Sequence, residues 1–280
     1  GFSRSTILRE IKRNTEGREY NPKFAQRNRD NNYLRCRRKL LIQGPYKQAV
    51  VKLLKEDLSP EQVAARLTYE KVFKVSRGTI RSFVAKNKDE FRSSLRRYKR
   101  RGAGRYLQRK RKKGRFISIW QRPQIVENRQ RRGDWERDGM FLADRELLLV
   151  CVERKSRFLT LGKIGKGKPK LVTELTDKLL SSLPVKTFTI TNDNGPEFRD
   201  SPNQKWPVYH CDAGRPQQRG TIENTIGLLR QYLKRTTNIN DLSNTDLERI
   251  ANRLNHRPRR CLDYRTPYEV FFNQSVALAS

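Results

Sequence analysis

Asp193 and Glu223 are the residues of this sequence best placed to do chemistry. Asp193 stands just past Phe188-Thr-Ile-Thr191, an alternating run of β-type residues, and before an Asn-Gly pair that turns the chain. A carboxylate at a strand exit beside a turn lies at a sheet edge, within reach of a ligand. Glu223 falls in Gln218-Arg-Gly-Thr-Ile-Glu-Asn-Thr-Ile-Gly-Leu-Leu229. Ile222, Ile226, Leu229 and Leu233 recur there at helical spacing and mark a buried stripe. Glu223 shares the neighbouring polar face with Gly227, Arg230 and Lys234. Alone it reads as a solvated acid favoured by the helix dipole. With Asp193, and with a third acid upstream, it reads as a ligand of a metal ion beside a polyanion.

Four stretches resemble the IS30 family of bacterial transposases. They are Gly133-Asp-Trp-Glu-Arg-Asp138, Asp193-Asn-Gly-Pro-Glu-Phe198, Gln218 to Arg230, and Arg257-Pro-Arg-Arg-Cys-Leu-Asp-Tyr-Arg-Thr-Pro-Tyr-Glu-Val-Phe271. They occur in the family's order and span nearly the whole chain. The resemblance implies an integrase core of RNase H-like fold (the retroviral integrase superfamily) with an Asp-Asp-Glu triad. Carried over residue by residue, the triad is Asp138, Asp193 and Glu223, with Asn194 and Glu197 assisting around it. Phosphodiester cleavage needs an activated water and a stabilised leaving oxygen. Two Mg²⁺ ions roughly 3.5–4 Å apart can supply both, and hard divalent ions of this kind take oxygen ligands. Mn²⁺ is the expected substitute. A DNA 3′-hydroxyl can then replace water as nucleophile, so one site serves cleavage and strand transfer.

Some positions depart from the family's pattern. The interval between Asp193 and Glu223 is short, with the missing residues placed around Asp200 to Trp206. Arg137 stands where a small residue is common. Asp134, Asp144 and Asp212 are rival acids, Asp134 the serious one; the pattern with Trp135 favours Asp138.

The chain has 63 Lys and Arg against 29 acids, a formal net charge of +34. Such an excess repels itself unless a polyanion neutralises it, so nucleic acid is the leading partner. No apolar run could span a bilayer and no secretory segment is present. Cys36, Cys151, Cys211 and Cys261 show no zinc spacing with each other or with His210 and His256. These features point to reduced thiols in a cytoplasmic, nucleoid-associated protein. The first residue is Gly, which suggests a processed or truncated chain.

The elements that must bring DNA to the acids lie upstream. Ser3 to Ile11 reads as a capped helix with Thr6 and Ile7 inside, and Val75 to Phe83 is a near-copy. Each resembles the recognition helix of a helix-turn-helix. The first copy, with a basic arm, occupies 1–43, and Arg4 is its candidate DNA contact. The second unit is complete over 44–92. It has an amphipathic helix of Tyr46, Val50, Leu53 and Leu54, then Ser59-Pro-Glu-Gln62 as a helix start with Val63, Ala64 and Leu67 inward, then a third helix capped at Ser76. Ile80 and Val84 point inward there, leaving Arg77, Thr79 and Arg81 for a major groove. Twelve of the twenty residues from Arg96 to Arg115 are basic and none is acidic. That run, with Arg109, Lys110, Arg111, Lys112 and Lys113, makes 93–118 a linker that straps onto phosphates. Arg230 is a further DNA contact.

The core domain, 119–275, reads as three strands, a helix, two strands and two helices, compatible with an RNase H-like α/β sheet. The whole is a multidomain chain: an all-α helix-turn-helix region followed by a catalytic α/β core. The expected partners are double-stranded DNA, as terminal inverted repeats and as target, and at least one further copy of the chain, without a membrane. Two other readings stay open: a DNA-binding regulator with a silent core, and an RNase H-type nuclease acting on RNA–DNA hybrids.

Overall fold

The run from Leu147 to Glu153 is buried at every position. An unbroken apolar strand requires cover on both faces, and the rest of the C-terminal region supplies it. The computed structural model describes residues 1–16, 19–36, 42–91, 116–166 and 168–278. Two compact units are formed, Gly1–Lys47 and Gln48–Ser280.

The first unit holds α1 (Arg4–Asn14), the strands β1 (Thr15–Glu16) and β2 (Glu19–Tyr20), and α2 (Pro22–Cys36). Ser3 caps α1 as its spacing requires, accepting the Thr6 N–H. The Asn28 amide donates to the Asn14 side chain at 3.1 Å and ties α2 to α1. Ile7 is not enclosed as expected: Ile7, Leu8 and Ile11 are all exposed.

The second unit opens, from Gln48, with the greater part of α3 (Gly44–Lys55), then α4 (Pro60–Tyr69), α5 (Arg77–Lys86) and the short α6 (Lys88–Phe91). Val50, Leu53, Val63, Leu67, Ile80 and Val84 are buried among them, while Tyr46, expected on the apolar face, is exposed. Ser59 and Gln62 form a reciprocal capping box with Pro60 in the first turn. Ser76 caps α5 through the Thr79 N–H. The basic run that includes Arg109 to Lys113 lies outside the described residues.

The remaining elements are β3 (Ile117–Ser118), α7 (Gln124–Glu127), β4 (Asp134–Phe141), β5 (Leu147–Glu153), β6 (Leu159–Gly165), α8 (Pro169–Ser181), β7 (Thr189–Asn192), β8 (Val208–His210), α9 (Gly220–Leu229), α10 (Asn244–Asn255) and α11 (Pro267–Phe272). The sheet order is β3-β8-β7-β4-β5-β6. β5 runs antiparallel to β4 and β6, whereas β7 is parallel to β4 and β8 to β7. From β4 onward this is the strand order of an RNase H-like sheet, and the chain order expected from the sequence is observed, with β3, α7 and α11 added.

Alternation along β5 divides the core. Leu148, Val150 and Val152 pack with Ile222 and Leu229 of α9 and with Leu247 and Leu254 of α10. Leu147, Leu149 and Cys151 face the other way, toward Val172 and Leu180 of α8 and Phe271 of α11. α8 buries Val172, Thr176 and Leu180; of the leucine stripe that the spacing suggests, Leu175, Leu179 and Leu183 pack half-buried against the same core and Leu171 is exposed.

Candidate active site

β4 carries acids on one face by its period of two. Glu136 and Asp138 share the side of Met140, which packs with the α9 layer, while Trp135 faces the α8 layer. The register that pairs Asp134, Trp135 and Glu136 with Thr189, Ile190 and Thr191 sets Asp138, in mid-strand, level with the residue that follows β7. Asp193 follows β7 directly, so it arrives beside Asp138.

Carboxylate oxygens of Asp138, Asp193 and Glu197 lie within 4.8 Å of one another. Glu197 is buried, and the Glu197 carboxylate sits where a side chain at residue 195 would be: a Cβ on Gly195 would meet its Oε2 at 2.4 Å. Gly195 has φ −59°, an ordinary value. A larger residue at 195 would thus displace the Glu197 carboxylate, while the backbone there has no need of glycine. Glu223, in the first turn of α9, lies outside this close group but lines the same cavity of about 240 Å³ with Asp193, Asn194, Asp212 and Arg219.

Arg219 joins the acids. Its guanidinium contacts the Asp138 carboxylate at 3.0 Å and Asp193 at 3.2 Å. The Gly139 N–H donates to Asp138 at 2.8 Å and the Gly195 N–H to Asp193 at 2.9 Å. Burial still pushes Asp138 up to about 6, against the pull of Arg219, with the Asp193 charge adding to the rise. Burial likewise raises Glu197 above its ordinary value, and Asp193 adds to it. A site that packs carboxylates at this spacing around one cation is built for positive charge, and its hard oxygen donors suit a divalent ion.

Buried charges beside the candidate acids, Glu136 and Arg137, hold these parts together. Glu136 accepts from Arg154 at 2.6 Å through one oxygen and from the Ile222 N–H at 2.9 Å through the other. It thus fastens the first turn of α9, with Glu223, to β4. Arg137 is buried, donates to Asn192 at 3.1 Å and to Thr176 at 2.7 Å, and lies over the Phe198 ring. Burial lowers it to about 10. It braces the residue before Asp193 and the turn that holds Glu197. The legible signal for both was three consecutive charges, Glu136 to Asp138, inside a strand.

The rival acids have other tasks. Asp134 accepts from Arg131 and from the Thr189 hydroxyl. Asp144 is exposed in a turn with φ 51°. Asp212 accepts from Trp120 at 2.9 Å and from Gln218 at 3.0 Å. Asn194 donates to the Cys211 carbonyl and so closes the Asp193 turn. His210 places Nδ1 2.9 Å from the Asp193 carbonyl and stacks on Phe116.

The candidate DNA contacts are dispersed. Arg77 and Arg81 are exposed on α5, and Thr79 is half-buried against the cap. Arg4 is exposed on α1. Arg230 is half-buried and donates to the Phe141 carbonyl at 2.8 Å.

No family model matches the chain. Full-length relatives do. The transposase for insertion sequence element IS4351 of Bacteroides fragilis is 34% identical over 298 aligned positions, covering 100% of this chain and 91% of that protein. This chain belongs to the IS30 family of transposases. The family's transposase InsI for element IS30A of Escherichia coli is 32% identical, covering 99% of this chain and 77% of its own. The transposase for IS1086 of Cupriavidus metallidurans is 33% identical over 96% of this chain and 86% of its own. Among solved structures, the catalytic core domain of BIV integrase aligns with 50% of this chain and 94% of that one at 18% identity, with a TM-score of 0.38.

Proposed function

We propose that this IS30-family chain is a DNA transposase that binds the terminal inverted repeats of an insertion sequence and cleaves and joins DNA strands at Asp138, Asp193 and Glu223. The observation that carries the reading is the convergence of Asp138, in β4, and Asp193, just past the adjacent β7, with Glu223 on the wall of a cavity that Asp193 also lines. Asp138, Asp193 and Glu223 would hold Mg²⁺, in two ions, with Mn²⁺ able to substitute. The ions would activate a water or a 3′-hydroxyl and stabilise the leaving oxygen.

The chain's own residues do the rest. Glu136 and Arg137 fix the end of β7 and the first turn of α9. Arg219 neutralises Asp138 and Asp193 and keeps them aligned. Glu197 keeps a further carboxylate beside them, in a supporting role. The trihelical segment α3 to α5 acts as a helix-turn-helix within 44–92, with Arg77, Thr79 and Arg81 on the reading helix, and Arg4 belongs to a second such unit within 1–43. The basic linker of 93–118 and Arg230 contact phosphates. Two ends must be joined, so the working form is at least a dimer on double-stranded DNA. No helix among the described residues is long and apolar enough to cross a membrane.

Incubation of the protein and Mg²⁺ with duplexes carrying a terminal repeat tests this. The expected result is strand cleavage at the repeat and joining to target DNA, with duplex DNA competing better than an RNA–DNA hybrid. Binding without cleavage would support a silent regulator, and preferential hydrolysis of the hybrid an RNase H-type nuclease.

A further inference from the structure

On the other side of the first turn of α9 from the acids lies a second cavity, of about 160 Å³. Arg129, Arg157 and Arg259 line it, together with Gly220, Thr221 and Asn224. Arg129 and Arg157 both donate to the Thr221 hydroxyl, at 3.3 and 2.8 Å. Two guanidinium groups thus converge on one neutral oxygen. Among the described residues neither forms an ion pair. The nearby acids are engaged elsewhere: Glu136 with Arg154 and the Ile222 N–H, Glu127 with Arg122 and Arg154. Arg129 is held below the usual guanidinium range, by desolvation first and by the Arg157 charge second.

Backbone strain points the same way. Arg129 and Arg157 have φ of 53° and 67°. A left-handed conformation is costly for a residue with a Cβ, and glycine avoids that cost. Side-chain function is a physical reason to keep arginine there. The cavity also continues toward α5. Asn224 and Arg259 line a further cleft of about 580 Å³ with Arg81, Arg257 and Arg260. A track of arginines therefore runs from the helix of Arg77 and Arg81, through the Arg257-Pro-Arg-Arg260 segment, to the foot of the helix that bears Glu223.

We infer that the Arg129–Arg157–Arg259 cavity binds a backbone phosphate of the DNA strand that is cut, anchoring it beside the acids. Like charges crowded against a neutral hydroxyl are relieved by a dianion-free, singly charged phosphodiester, which accepts from several guanidinium groups at once. The inference deepens the transposase reading and rests on it for the identity of the strand.

The test uses the full-length chain and Arg129→Gln/Arg259→Gln, with Arg129→Gln alone as the second variant because that side chain is exposed. Melting curves confirm folding. Binding to a terminal-repeat duplex is measured across salt concentrations without divalent ions. One lost phosphate contact should flatten the slope of log K against log salt by about 0.9. Single methylphosphonate linkages are then scanned along the cut strand. One linkage near the cut should weaken wild type and leave the double variant unaffected. A wild-type slope in the folded variants, or equal sensitivity of both proteins at every linkage, would overturn the inference. Cleavage by wild type is read separately. A flattened slope without wild-type cleavage keeps the phosphate site and removes the transposase reading; cleavage with an unchanged slope does the reverse.

Discussion

Arg66→Met should unfasten α4 from the core. Arg66 is fully buried, and its guanidinium spans both oxygens of Glu269 at 2.9 and 2.8 Å, Glu70, and the carbonyl of Val276. Glu269 also accepts the N–H groups of Thr266 and Val276. Burial alone would raise Glu269; the Arg66 and backbone hydrogen bonds outweigh it and hold the carboxylate below its ordinary value. Removing Arg66 leaves a buried carboxylate without its cation, a loss on the order of 3–5 kcal/mol. For a unit of this size the melting temperature should fall by roughly 6–20 °C. Glu269→Gln in the Arg66→Met background should restore part of it, giving a coupling energy of about 2 kcal/mol in the double-mutant cycle. The sign with pH follows from the lowered Glu269. Its contribution is present above the unfolded value of about 4.3 and lost as pH falls through the folded one, so the gap between wild type and Arg66→Met should narrow in acid. A melting temperature lowered by only a degree or two at neutral pH, with no coupling, would refute a buried clamp.

Glu136→Gln should loosen the first turn of α9, because an amide holds Arg154 and the Ile222 N–H less strongly; faster amide exchange at Ile222 and Glu223 is the readout, and unchanged exchange would deny Glu136 that role. Asp138→Asn should stabilise the metal-free protein at pH 8, since the raised carboxyl is a charged burden above about 6. That gain should fade as pH drops from 6 toward 4, where the wild-type group is protonated in both states. Melting temperatures across that range would check it. Arg77→Ala should relax the footprint on a terminal repeat more than it weakens nonspecific binding, at about 1–3 kcal/mol of discrimination for one lost guanine contact; identical protection at matched occupancy would remove α5 as the reader.

Much of the frame was legible because it is local. The Ser59-Pro-Glu-Gln62 start and the Ser3 and Ser76 caps are rules of near neighbours, and the structure follows them. What the sequence did not disclose depends on residues distant along the chain. Arg66 meets Glu269 across 203 positions, and Glu136 reaches Ile222 across 86. Neither partner marks the other in sequence. The family resemblance places Glu197 around the triad, but its own near neighbours do not mark it; the β4–β7 register brings Asp138 to it. The leucine stripe of α8 finds the core at Leu175, Leu179 and Leu183, but the centre of the buried face is Val172, Thr176 and Leu180, with Leu171 outside it.

The central claim is that Glu223, and not the closer Glu197, completes the set with Asp138 and Asp193. Glu223→Gln and Glu197→Gln should be compared in Mg²⁺-dependent cleavage of a terminal-repeat duplex, with DNA binding measured alongside. Glu223→Gln should abolish cleavage and keep binding, while Glu197→Gln should still cut, more slowly. Cleavage by Glu223→Gln at the wild-type rate, with none by Glu197→Gln, would contradict the account and move the third ligand to the β7 turn.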